Sequence, residues 1–186
     1  MPAPPTASDS TSDVTGAWHQ RLVLSDSVTI YHADCLDMIS EIEADAVISD
    51  PPYGMKCNTD SRRFSGGETP GSRGRGNDWG GIEGDDKPFD PSPWLEWKKV
   101  VLFGSNHFGA RLPVGTTLVW IKRNDDAFGS FLSDAEVAWM RGGHGVYCKR
   151  DFAMNGRGVN FPNLHPTQKP VTVMAWCMEK AKVAED

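Results

Sequence analysis

Two consecutive prolines, Pro51 and Pro52, close the short apolar run Ala46-Val47-Ile48-Ser49-Asp50, and no other local feature restricts the chain as much. Each proline fixes φ at about −65° and removes a backbone donor, so neither a helix nor a central strand continues through the pair. The run before them ends as a strand with Asp50 at its tip and Tyr53 just beyond. Upstream, residues 27–33 (SVTIYHA) alternate and are β-branched, and residues 35–44 space Leu36, Ile39 and Ile42 at helical intervals. Strand, helix and strand in this order predict the unit of a parallel sheet.

A length of 186 residues with 39% apolar content and seven tryptophans suits one core. Residues 1–16 are rich in Pro, Ser, Thr and Ala and predict a disordered tail. Residues 17–186 then form one domain, within which the glycine- and arginine-rich stretch 56–86 reads as a mobile loop. No run reaches the roughly 18 apolar residues of a membrane span, and the N-terminus lacks signal-peptide character, so a cytoplasmic location is expected. Cys35, Cys57, Cys148 and Cys177 show no metal-ligand or disulfide spacing, and no metal site is expected.

The net charge of −6 is unevenly spread. Residues 1–50 hold Arg21 against nine acids, whereas residues 51–186 hold 18 basic and 16 acidic residues. Basic side chains gather at Lys56, Arg62, Arg63, Arg73 and Arg75, and again at Arg141, Lys149, Arg150, Arg157 and Lys169. Such patches contact phosphate even on an acidic protein, or are simply solvated loop charges. Further along, Asp90 and Pro91 read as the cap and first turn of a helix over PSPWLEWKK. Strands are expected at 100–105, 116–123, 135–141 and 145–152. Pro170 then opens a helix whose face is Val171, Met174, Met178 and Ala181.

The chemistry concentrates at residues 50–53. The lone pair of an exocyclic nucleobase amine is delocalised into the ring and is a poor nucleophile. A fixed carboxylate and a fixed carbonyl that accept its two N–H groups favour a pyramidal nitrogen with its lone pair exposed. Asp50 and the Pro51 carbonyl supply such acceptors, Pro51 and Pro52 make them rigid, and Tyr53 offers a face on which an extruded base stacks. Taken singly, Asp50 reads as well as a helix cap and Tyr53 as a core aromatic, and Asp34 as the cap of a helix starting at Cys35.

Asp50-Pro51-Pro52-Tyr53 after a strand, with His165-Pro166-Thr167-Gln168-Lys169-Pro170 opening a later helix, resembles the S-adenosylmethionine-dependent DNA amino-methyltransferases. The order of the two motifs is similar to the permuted subgroup, and the likeness spans about residues 22–182. It implies a three-layer α/β Rossmann-like methyltransferase sandwich with an incomplete sheet. It implies methylation of adenine N6 in double-stranded DNA, or of cytosine N4, with base flipping and a restriction-modification setting. Asp50, Pro51, Pro52 and Tyr53 are then catalytic; Asp34, Asp50, His165, Thr167, Gln168 and Lys169 bind the cofactor; and Lys56, Arg62, Arg63, Arg73, Arg75, Arg150 and Arg157 bind DNA.

The family's glycine-rich cofactor motif is missing from these residues. The expectation is that the chain alone binds S-adenosylmethionine poorly and shows no turnover, with the motif lost or supplied by a complementing chain. An exposed half-sheet also invites a homodimer. The alternative from a different class is a catalytically inert DNA- or partner-binding remnant.

Overall fold

The computed structural model describes residues 20–60, 78–129, 133–152 and 168–183. It divides into two compact units, 1–44 and 45–186. The expected tail over 1–16 lies outside the described residues.

In the first unit, β1 (Gln20–Ser25) and β2 (Val28–His32) pair antiparallel, with Leu22 opposite Ile30 and Gln20 opposite His32. Asp26 and Ser27 make the two-residue turn between two β-prone runs, the arrangement that favours a hairpin. The β2 segment therefore finds its partner locally, not in a parallel sheet. The helix that follows is a single turn, α1 (Cys35–Met38). A longer one is opposed by Glu41, Glu43 and Asp45, acids placed at the negative end of a helix dipole with no basic residue to offset them.

The second unit holds a four-stranded mixed sheet in the order β3-β4-β6-β5. β3 (Val47–Ser49) runs parallel to β4 (Val100–Phe103), and β4 runs antiparallel to β6 (Ala135–Arg150). β5 (Gly115–Ile121) lies between two arms of β6: Val119 faces Val137 on one side and Cys148 on the other. The strands expected at 135–141 and 145–152 are thus one strand, which reverses around the start of β5. Gly142 and Gly143, at φ 83° and 66°, allow the reversal.

The core joins the sheet to α3 (Val171–Lys180), with Val101, Phe103, Leu118, Trp120 and Ala138 meeting Val173, Trp176 and Cys177. Burial of these side chains at about 25 cal/mol per Å² is the main force holding helix to sheet. Of the expected face of α3, Met174 and Ala181 pack against this core, but Val171 is 80% exposed and Met178 44%, and the fully buried positions are Val173 and Cys177. The segment after Asp90 is a 3₁₀ turn, Ser92–Glu96, and not an α-helix. Its N-cap is Pro91 and not the expected Asp90, whose carboxylate nevertheless accepts from the Ser92 amide at 3.1 Å and the Ser92 hydroxyl at 2.8 Å.

The expected three-layer Rossmann-like sandwich is overturned. A sheet of that type needs a helix after nearly every strand to cover both faces. Here the described α-helices are α1, the four-residue α2 (Ser105–Phe108) and α3, and the sheet carries antiparallel pairings. The result is a small mixed sheet and a separate two-stranded hairpin.

Candidate functional site

Asp50 directly follows β3, where the sheet ladder stops at the two prolines. Its Oδ1 accepts from the Tyr53 hydroxyl at 2.5 Å, and its Oδ2 meets the Lys169 ammonium at 2.6 Å. The second contact joins residues 119 positions apart. Lys169 also contacts Glu136 at 3.0 Å, and Glu136 accepts from Lys122 at 2.8 Å. The result is an alternating chain, Lys122–Glu136–Lys169–Asp50, in which every charge faces its opposite. Lys169 is the most enclosed member, with its side chain 7% exposed and its ammonium 5.1 Å from the Phe103 ring centre.

Burial would raise the Glu136 carboxyl, but the ammonium groups of Lys169 and Lys122 outweigh it and hold the group below the ordinary carboxylate value. Burial, the Asp50 charge and the Asp50 hydrogen bond push the Tyr53 phenol far upward. Tyr53 is therefore a neutral donor throughout the physiological range.

The Tyr53 ring stacks on His107, with centroids 5.0 Å apart and planes 13° apart. It also lies on Gly104, the N-cap of α2, where φ is 75° and a Cβ would stand 2.1 Å from Tyr53 Cε1. Only glycine satisfies both conditions, so the platform for Tyr53 is written into the Phe-Gly-Ser-Asn-His-Phe segment.

The chain after Tyr53 folds around Asp85. Its Oδ1 accepts from the amides of Gly54 (2.8 Å) and Met55 (3.2 Å), and its Oδ2 from Cys57 (2.6 Å). Burial opposes ionisation, yet these amides together hold the carboxyl below its ordinary value. Asp85 is 4% exposed. It fixes the loop carrying Pro51 to Tyr53 in place, and the sequence offered no sign of it beyond the turn-prone Gly84 before it. Glu136 was missed as well, because an acid in a β-branched run reads as an outward-facing strand residue.

Between these groups lies a cavity of about 490 Å³, lined by Asp50, Pro51, Pro52 and Tyr53, by Glu136, Gln168 and Lys169, and by apolar Met55, Ile82 and Met174. Of the expected site residues, the structure brings together Asp50, Pro51, Pro52, Tyr53, Gln168 and Lys169. Asp34 belongs to the first unit, where it caps α1 by accepting from the Leu36 amide at 2.9 Å. Arg150 pairs with Asp125 at 2.9 Å. Lys56 is exposed, at φ 51°. Arg62, Arg63, Arg73, Arg75, Arg157, His165 and Thr167 lie outside the described residues. Among the described residues, no helix is long and apolar enough to cross a membrane, and no cluster of His, Cys, Asp or Glu could hold a metal ion. No family model, curated protein or solved structure matches the chain.

Proposed function

We propose that the Asp50 cavity receives the exocyclic amine of adenine in double-stranded DNA and that the chain serves S-adenosylmethionine-dependent methyl transfer to N6. The carrying observation is the fixed pairing of the Asp50 carboxylate with the Tyr53 ring, inside a cavity whose other wall holds Lys169 and Gln168. An amine donates N–H groups and binds best where acceptors outnumber donors. The lining carboxylates Asp50, Asp85 and Glu136 outnumber its one ammonium, Lys169, a charge balance that also suits a positively charged sulfonium.

Each Asp50 oxygen already accepts from one donor and keeps a second lone pair, so an incoming amine either adds to these bonds or takes the place of one donor. Lys169 is the donor that can yield, because it keeps Glu136 when it leaves Asp50. Tyr53, locked by Gly104 and His107, stays as the stacking surface. Gln168 and Lys169 would hold the carboxylate end of the cofactor, which supplies an electrophilic methyl group when bound. Bound there, the cofactor would supply the methyl group to the amine lone pair that Asp50 orients, and the nitrogen would then give a proton to solvent. Asp50 orients the amine and needs no unusual basicity.

One observation favours a second reading, a binding module without turnover: each Asp50 oxygen already accepts from a side chain of the protein before any ligand arrives. The test uses the full chain, mixed-sequence duplex DNA and tritiated S-adenosylmethionine, followed by nucleoside separation. With a segment carrying the glycine-rich cofactor motif added in trans, label is expected in N6-methyladenine, and Asp50→Ala reduces it by about a hundredfold or more. Label in N4-methylcytosine moves the substrate to cytosine. Absence of label, with adenosine still shifting the NMR signals of residues 50–57, supports the binding reading. Absence of both overturns the proposal.

A further inference from the structure

A second cavity, of about 560 Å³, opens at the other end of the same sheet. Asp50 follows the last residue of β3, and Glu136 pairs with Trp120 near the end of β5. The second cavity instead lies where Val100 opens β4 and Arg141 pairs with Gly115 at the start of β5. Five cations line it: Lys98, Lys99, Arg141, Lys180 and Lys182. Glu179 is its one carboxylate, 3.8 Å from Lys180.

This concentration of positive charge stands out in a chain of net charge −6. Lys180 and Lys182 have a structural reason, since cations favour the carbonyl end of a helix and both lie at the end of α3. That reason does not reach Lys98, Lys99 or Arg141, which come from the segment before β4 and from β6. Lys99 donates to the Lys182 carbonyl at 2.7 Å, and Arg141 donates to the Leu95 carbonyl. Among the described residues, no carboxylate pairs with Lys98, Lys99, Arg141 or Lys182. Cations gathered around one cavity with a single carboxylate among them leave it with a standing positive potential.

We infer that this cavity binds a phosphate group through Lys98, Arg141 and Lys182. A tetrahedral dianion presents oxygens in several directions and accepts from donors that converge from separate elements. A planar carboxylate offers only two oxygens. Arg141 adds the planar fork that matches phosphate oxygens, and it spends one donor on Leu95. The volume falls in the range of about 300–1,000 Å³ typical of small-ligand sites. The phosphate comes either from a free phosphorylated molecule or from the backbone of a nucleic-acid strand. The inference does not rest on methyl transfer.

The test is a ¹H–¹⁵N NMR titration of the full chain with sodium phosphate, against sodium chloride at matched ionic strength, with a parallel titration by a single-stranded oligothymidylate. Saturable shifts specific to phosphate are expected at residues 141–143 and 180–183. Lys98→Gln with Lys182→Gln, and separately Arg141→Gln, should each weaken the response by about tenfold per cation removed. Asp50→Ala should leave it unchanged. Saturation by inorganic phosphate identifies a free molecule, whereas saturation by the oligonucleotide alone identifies a strand, and either supports the site. Shifts that chloride reproduces, that survive the variants, or that map to residues 50–57 overturn it.

Discussion

The two cavities of the 45–186 unit sit at opposite ends of one sheet and treat charge in opposite ways. At the Asp50 end each ammonium meets a carboxylate: Lys122 meets Glu136, and Lys169 meets both Glu136 and Asp50. At the Lys182 end Lys99 and Arg141 meet carbonyls, and Lys180 alone of the five lining cations meets a carboxylate, that of Glu179. Charges paired with each other contribute to the fold and orient the groups that carry them. Charges left without partners contribute little to the fold and are available to a ligand. The first cavity should therefore lose stability when its charged groups are changed, and the second should lose only binding.

The strongest challenge to that contrast is Asp85→Ala. It removes the acceptor of three amides in a site where Asp85 is 4% exposed, and water replaces it imperfectly. A loss of about 3 kcal/mol is expected, read as a lower urea midpoint at unchanged slope. A loss below about 1 kcal/mol would show that the loop holds its shape without Asp85. Gly104→Ala comes next, at about 2 kcal/mol, because the new Cβ enters the Tyr53 ring and φ is 75°. Adenosine binding should fall with it. Unchanged adenosine binding would remove the Gly104 and His107 platform from the proposed function.

The parts of this design that could be read from the sequence are those encoded by neighbours along the chain. Pro51 and Pro52 mark the end of β3, Asp90 marks its turn, and Pro170 marks the start of α3, because each acts within a residue or two. The fold departs from the sequence expectation where a local choice competes with a distant one. The 20–32 segment closes on itself through Asp26 and Ser27 and does not supply a strand to a parallel sheet. On α3, Val171 and Met178 fit a helical apolar period as well as Val173 and Cys177 do, and only the position of the sheet decides which pair is buried. Asp50 and Lys169 were both singled out by motif, but their contact, and the part played by Glu136 and Asp85, depend on a fold that brings 119 residues back to one point.

A smaller effect, of about 1 kcal/mol at neutral pH, is expected for Glu136→Gln, which leaves Lys122 and Lys169 short of a partner. Its pH dependence is the sharper test. The folded Glu136 carboxyl titrates below its free value of 4.5, so its stabilising effect is complete above that pH and is lost as pH falls through the folded value. Wild-type and Glu136→Gln unfolding free energies should therefore converge on acidification. A gap that persists well below pH 4.5 would assign the loss to packing and not to charge.

The smallest predicted effect on stability is the one the contrast depends on most. Without phosphate, the double variant Lys98→Gln, Lys182→Gln should unfold within about 0.5 kcal/mol of wild type, because neither side chain has a carboxylate to lose. The sign should favour the variant, since two of five like charges have been removed from one cavity. Gln at position 182 keeps the strain of φ 53°, so the backbone contribution cancels in the comparison. Raising the salt to about 0.1 M brings the screening length to about 10 Å and should shrink even this difference. Added phosphate should then raise the melting temperature of wild type by mass action and leave the variant behind. A variant that is clearly less stable without phosphate would mean that these lysines serve the fold, and the second cavity would then be of the same kind as the first.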